Sequence, residues 1–338
     1  MAHPTRPPPF AKDLIVLSRT RSLALVSGLA LALSACGSSD SDSASGPTIA
    51  VEDNNGTQQV PQEPTSVVAT DNRTFETLAD WDVELSAAAV SLMPETISYT
   101  KDKDLVDLGT HREPDLEAIV AAKPDLVING QRFTQHEAKL KELAPDAAFL
   151  NLDPREGEPL DTELKRQTEV LGEVFGKQDE AKTLGEDLDA QVARVKEAYE
   201  PGDTVMAINT SGGELGYIAP TVGQTFGPVF DLFDLEPALE VEGASDDHQG
   251  DEVSVEAIAK ADPDWILVLD RDAAIAADEE GYTPAKQLIE DSEALQDVTA
   301  VKEGQVVFAP ADTYTNEGIQ TFTEFFEDFA DALEGKKS

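Results

Sequence analysis

Two arginines stand at equivalent positions of an internal repeat. Residues 117–132, EAIVAAKPDLVINGQR, and residues 256–271, EAIAKADPDWILVLDR, align without a gap at an offset of 139 and agree at seven of sixteen positions. Each copy reads as helix, Pro-Asp turn and buried strand, with Arg132 or Arg271 just past the strand's carboxyl end. Open α/β sheets bind ligands outside those ends, so two such lobes facing each other set the two arginines on opposite walls of one cleft. A guanidinium is a planar, permanently charged fork suited to anionic oxygens. One arginine after a strand is ordinarily a solvated loop residue; the same register in both copies argues for a shared anionic ligand. The offset also links Glu113 to Glu252, each just before a repeated helix. Acidic residues there complement the helix dipole, worth roughly a few tenths of a kcal/mol. A matched pair, one per lobe, also forms a docking face for a two-fold-symmetric basic partner.

The elements that must position these residues follow from the apolar pattern. Short strands are expected at 48–51, 67–70, 87–90, 126–129 and 147–150, and again at 204–209, 215–218, 239–241, 265–269 and 305–308. Helical stretches such as 116–122 and 255–261 lie directly before strands, the alternation of an α/β fold with mainly parallel sheets. Between the two sets, residues 178–198 place Ala181, Leu184, Leu188, Val192, Val195 and Ala198 at steps of three and four. That is an amphipathic helix of about 31 Å, and Gly185 weakens it by about 1 kcal/mol without breaking its stripe. The expected fold is two Rossmann-like α/β lobes, 48–160 and 202–338, joined through connecting helices at 161–201 by one long, stiff helix.

The amino terminus has its own organisation. Arg6, Lys12, Arg19 and Arg21 precede an apolar run from Ser22 to Ala35, whose length as a helix, about 21 Å, falls short of a roughly 30 Å hydrocarbon core. Residues 1–35 therefore read as a signal peptide. The run ends Leu33-Ser34-Ala35-Cys36-Gly37, which resembles the bacterial lipobox, and the polar tether 36–47 follows. Cys36 is the sole cysteine, so no disulfide forms within the chain. From residue 36 onward there are 21 basic and 66 acidic side chains, a formal charge of −45 that repels nucleic acid and anionic lipid. At 40% hydrophobic with regular periodicity the chain is globular rather than an acidic disordered tail. Arginines clustered on such a background oppose the overall field, which favours a functional reason for them.

Three segments, VDLGTHREPDLEAIVAAKPDLVINGQR, HQGDEVSVEAIAKADPDWILVLDR and GQVVFAPADTY, resemble the iron-siderophore solute-binding proteins of ABC importers, nearest the ferric-catecholate group. The similarity runs from about Thr48 to Gly335. It implies two α/β lobes bridged by a long helix, a lipid-anchored monomer on the extracytoplasmic face of a bacterial membrane, and no enzyme activity or resident cofactor. It implies capture of a ferric siderophore between Arg132 and Arg271, with His248 and Tyr314 capping iron where the chelate leaves coordination positions open. Glu113 and Glu252 would meet arginines of a permease dimer that works with its ATPase. One departure is visible: the family's third arginine, in a Gly-Ser-Arg-Phe-Gly turn, falls on Thr225 of Gly223-Gln224-Thr225-Phe226-Gly227. Thr225 brings no charge, leaving Arg73 or Arg112 to compensate or a less anionic ligand. The implied chemistry is coherent, because guanidinium groups hydrogen-bond catecholate oxygens and stack on aromatic faces.

Other functions fit less well. Haem or cobalamin on the same scaffold, with Tyr314 or His248 as axial ligand, is the nearest alternative. A free-metal receptor needs three or four converging His, Asp or Glu ligands, whereas His111, His136 and His248 are dispersed and the first two read as surface residues. Neither a Gly-x-Ser-x-Gly elbow nor a phosphate-binding loop with its lysine is present, which disfavours a hydrolase or nucleotide enzyme. A purely structural lipoprotein needs no repeated arginines.

Overall fold

The computed structural model describes residues 46–337. The signal peptide, Cys36 and most of the tether lie outside the described residues. An antiparallel hairpin of β1 (Thr48–Asp53) and β2 (Gly56–Pro61) comes first. The first lobe then runs β3 (Val67–Ala69), α1 (Phe75–Asp80), β4 (Ala87–Ala88), β5 (Val106–Asp107), α2 (Leu116–Ala122), β6 (Leu126–Ile128), α3 (Glu137–Leu143) and β7 (Ala148–Leu150). Its strands are all parallel in the order β5-β4-β3-β6-β7. The central strands β3, β4 and β6 are buried at every position, as a sheet covered on both faces requires.

Two helices, α4 (Leu160–Phe175) and α5 (Gln178–Ala198), carry the chain across. The second lobe follows with β8 (Thr204–Ser211), β9 (Glu214–Ile218), α6 (Gly227–Phe233), β10 (Glu236–Pro237), β11 (Asp251–Glu252), α7 (Val255–Ala261) and β12 (Trp265–Leu269). It finishes with α8 (Arg271–Ala276), α9 (Ala285–Asp291), α10 (Thr299–Glu303), β13 (Val306–Phe308) and the carboxyl-terminal α11 (Ile319–Lys337). Here β8, β12 and β13 are parallel, while β9 and β11 add antiparallel strands at the other side.

The repeat extends into the backbone. Lys123 and Asp262, 139 residues apart, both close their helix at φ 46°, ψ 58°. The Pro-Asp aspartates make the same bonds: Asp125 accepts from Thr65 N and Oγ1, and Asp264 accepts from Thr204 N and Oγ1. Asp115 and Ser254 cap α2 and α7 from equivalent positions. The triplets β3-β6-β7 and β8-β12-β13 are thus one duplicated unit, and the lobes diverge on the far side of β3 and β8.

The connector is a packed pair of helices, the second of them the expected long one. Gly176 ends α4 in the left-handed region at φ 66°, and α5 folds back against α4. Gly172 allows that approach, since a Cβ there would lie 2.8 Å from the Cβ of Ala181. Val170, Leu171, Val174 and Ala181 belong to the first lobe's core, whereas Leu160, Leu164, Leu188, Val192 and Val195 belong to the second's. Each connecting helix is therefore anchored in both lobes. Helix α11 brings Phe325, Phe326 and Phe329 into the second core, each contributing about 1.5–3 kcal/mol by burial.

Two expectations are corrected. Residues 239–241 form no strand; the carbonyl of Leu239 instead accepts from the Tyr217 hydroxyl, and the sheet position is taken by β10. Strand β1 joins a separate hairpin rather than a main sheet.

Candidate functional site

The arginines are carried on the ends of equivalent strands by different local turns. After β6 the chain passes through Gly130, where any Cβ would collide with the Asp71 and Asp153 carboxylates. Gln131 at φ 47° then turns the chain into a short 3-10 helix, Gln131–His136, that holds Arg132. After β12, Asp270 caps α8 by accepting from Ala273 N, and Arg271 is the first residue of that helix. The Asp270 carboxylate also accepts from Thr210 Oγ1 and the Tyr282 hydroxyl, which fastens this corner.

Tyr314 lies in the 3-10 turn Thr313–Thr315 and receives both arginines. The guanidinium carbon of Arg132 is 4.6 Å from its ring centre and that of Arg271 is 4.9 Å away. Arg132 also donates to the Tyr314 hydroxyl at 3.4 Å and to its carbonyl at 3.3 Å. Arg271 donates to Ser211 Oγ at 3.3 Å and keeps a buried Nε without a hydrogen-bond partner. Its nearest carboxylate oxygen, on Asp272, is 3.6 Å distant. Two cations held against one buried ring, one of them incompletely satisfied, are chemically suited to an anion with an aromatic or planar character.

These groups line a cleft of about 640 Å³. Arg112 and His248 stand on its exposed rim, and His248 Nδ1 is 3.7 Å from Asp247. Arg73 also borders the cleft, yet it is already tied to Asp153 at 3.1 Å and Glu317 at 3.4 Å. It therefore balances local carboxylates before it meets any ligand. Beneath it, burial pushes the Asp71 carboxyl up to about 7, with Asp153 adding to the effect and Arg73 opposing it.

Thr225 does not face the cleft. At φ 63° its side chain turns back so that Oγ1 donates to Glu317 Oε1 at 2.6 Å, and the neighbouring Gln224 is presented to the cavity instead. His111, expected at the surface, is half-buried in the cleft wall with Nδ1 lacking a hydrogen-bond partner. Burial lowers its pKa, helped by Arg132 and Arg112. His136 lies behind it, with Nε2 2.7 Å from the His111 carbonyl. Gln224 and His111 both lie in segments that the family resemblance marks, but it gave neither a role; the turn geometry and the sheet order bring them to the cleft. Glu113 and Glu252 are both exposed, before α2 and at the end of β11, away from the cleft lining. Among the described residues no three His, Cys, Asp or Glu side chains are grouped to hold a metal, and no helix is long and apolar enough to cross a membrane.

Two lobes with parallel sheets, a helical connector and a polar cleft at the strand ends define a solute-binding protein. Residues 67–313 match the family described as Periplasmic binding protein, and the chain belongs to that family. It is accordingly a binding protein rather than an enzyme. Among its relatives is the petrobactin-binding protein YclQ of Bacillus subtilis, 28% identical over 90% of this chain and 96% of that one. The crystal structure of YclQ superposes with a TM-score of 0.70, covering 85% of this chain and 99% of YclQ at 26% identity. The ferric-anguibactin-binding protein FatB of Vibrio anguillarum is 29% identical over 79% of this chain and 81% of its own. The catecholate-siderophore binding protein VctP of Vibrio cholerae shares the fold, with a TM-score of 0.72 at 22% identity over 85% and 99% of the two chains.

Proposed function

We propose that this chain is a lipid-anchored, extracytoplasmic receptor that captures a ferric siderophore, of catecholate type, and delivers it to an ABC importer permease. The observation that carries the reading is the convergence of Arg132 and Arg271 on Tyr314. A ferric catecholate is anionic and presents aromatic faces, and the cleft offers charged donors, stacking surfaces and a phenol in one place. Arg112 adds charge at the rim. With Arg73 neutralised by Asp153 and Glu317, and Thr225 withdrawn, the cleft suits a chelate less negative than a tris-catecholate. Fe(III) is a hard ion that favours phenolate oxygen, so Tyr314 is its ligand from the protein and His248 a second donor where the chelate leaves positions open. The names of YclQ and FatB, binders of petrobactin and ferric anguibactin, support an iron-chelate cargo. The leader and Cys36 support anchoring, and Glu113 with Glu252 supplies a paired face for the permease.

The deciding experiment is purification from iron-starved cells, with absorbance and mass spectrometry of the retained ligand. A broad visible charge-transfer band and a ferric chelate mass are expected. A Soret band, or a cobalamin mass, overturns the proposal in favour of a macrocycle receptor.

A further inference from the structure

The loop before α2 brings His111 to the same cleft as Arg132, and its place there is fixed by the arginine's own support. The His111 carbonyl lies 2.7 Å from Nε2 of His136 and accepts from Nε2 of Gln135 at 3.5 Å. A carbonyl can only accept, so His136 carries a hydrogen on Nε2. Both donors belong to the 3-10 helix that holds Arg132. His136 also meets the buried Phe133 edge to face, with ring centres 5.7 Å apart. One short helix therefore positions the guanidinium and the imidazole together.

The second lobe has no counterpart. The repeat offset of 139 carries His111 onto Gly250, whose φ is 76°. A Cβ there would lie 2.6 Å from Asn209 Oδ1 and 3.0 Å from the backbone of Gly216, which leaves no room for a side chain. His111 thus makes the two walls of the cleft unlike.

The two ring nitrogens of His111 have different surroundings. Nδ1 is buried without a hydrogen-bond partner, whereas Nε2 is not enclosed and no group among the described residues engages it. An N–H at Nδ1 would be a buried donor with no acceptor, a costly arrangement. The imidazolium needs that N–H, and so does one of the two neutral tautomers. The form left is neutral, with its hydrogen on Nε2. Electrostatics agrees: burial first, then Arg132, Arg112, His136 and His248, lowers the pKa of this ring.

We propose that His111 is a specificity-determining residue of the cleft, a neutral donor whose Nε2–H takes an acceptor oxygen of the anion bound at Arg132. The inference rests on the ferric-chelate reading of the cleft and adds to it a directional contact without charge. A guanidinium attracts any anion within reach. The imidazole favours one that turns an oxygen, rather than a donor or a methyl group, toward the first-lobe wall.

Two measurements on the whole chain test it. Imidazole nitrogen NMR near neutral pH separates the tautomers, and with only four histidines in the chain, comparison with His111→Gln assigns the ring. The spectrum is expected to show hydrogen on Nε2. Saturation with a gallium(III) bis-catecholamide chelate is expected to shift that N–H and slow its exchange with water. Calorimetry with the ferric form of the same chelate is expected to show about tenfold weaker binding for His111→Phe, the scale of one hydrogen bond to a charged acceptor. His111→Gln, which restores a neutral donor, is expected to recover most of that loss, as lost packing alone would not. Hydrogen on Nδ1, a ring signal unmoved at saturation, full affinity in His111→Phe, or equal losses in the two variants overturns the assignment while the parent chain still binds. If the parent chain binds neither metal's chelate, the ferric-chelate reading itself fails, and this inference with it.

Discussion

Arg132 and Arg271, 139 residues apart, reach the same tyrosine ring from two different lobes, with guanidinium carbons 4.6 and 4.9 Å from its centre. Duplication supplies this arrangement: each arginine follows the second strand of a repeated unit, and the facing of the two units turns a repeat into a clamp. On a strongly acidic chain, two guanidinium groups at one place are a local exception to the overall field.

Replacing either arginine tests the clamp. Arg132→Ala and Arg271→Ala are each expected to weaken ferric-catecholate binding by about 1–3 kcal/mol, the scale of a charged hydrogen bond. Lysine at either position is expected to restore only part of this, because it lacks the planar fork. Titration that shows full affinity in both alanine variants removes the arginines from the site.

Tyr314 separates stacking from metal ligation. Tyr314→Phe keeps the ring that Arg132 and Arg271 pack against, so thermal unfolding is expected to stay close to that of the parent chain. With a tetradentate ferric chelate its charge-transfer band is expected to shift, and His248→Ala to shift it further. An unchanged band in both variants places the iron out of reach of either side chain.

Glu113 and Glu252 are predicted to act after capture. Their double alanine variant is expected to bind ligand with unchanged affinity and fail to support uptake in cells whose only receptor it is. Normal uptake discards the docking role.

The buried carboxyl of Asp71 makes stability depend on pH near neutrality. Its folded pKa is raised to about 7 by burial first and Asp153 second, so the folded chain keeps a proton that the unfolded chain releases. This contribution is fully present below the ordinary aspartate range, near pH 4, and is lost as pH rises through about 7. Asp71→Asn is expected to flatten that decline and to raise the unfolding temperature at pH 8. Denaturation curves with the same pH slope in both proteins contradict the assignment.

Local sequence was sufficient for most of the framework. Helix, Pro-Asp turn and buried strand are written in contiguous residues, so both repeats, the long α5 and the positions of Arg132 and Arg271 beyond their strands are legible without coordinates. The short strands β5 and β11, two residues each and largely exposed, carry no apolar signal and are invisible in that reading. Residues 239–241 carry a strand-like signal yet add no strand; β10, just before them, makes the pairing with the start of β8 instead.

The amino-acid order by itself determined that this protein has two related α/β lobes, each ending a strand with an arginine, on a strongly acidic chain. The tertiary structure decided which charges remain available. It tied Arg73 to Glu317 from the far end of the chain, turned Thr225 away in favour of Gln224, and brought His111 into the cleft wall. The reason is one of range: periodicity and turn chemistry act between residues a few positions apart, whereas a binding site is assembled by lobe packing and backbone angles that join distant segments.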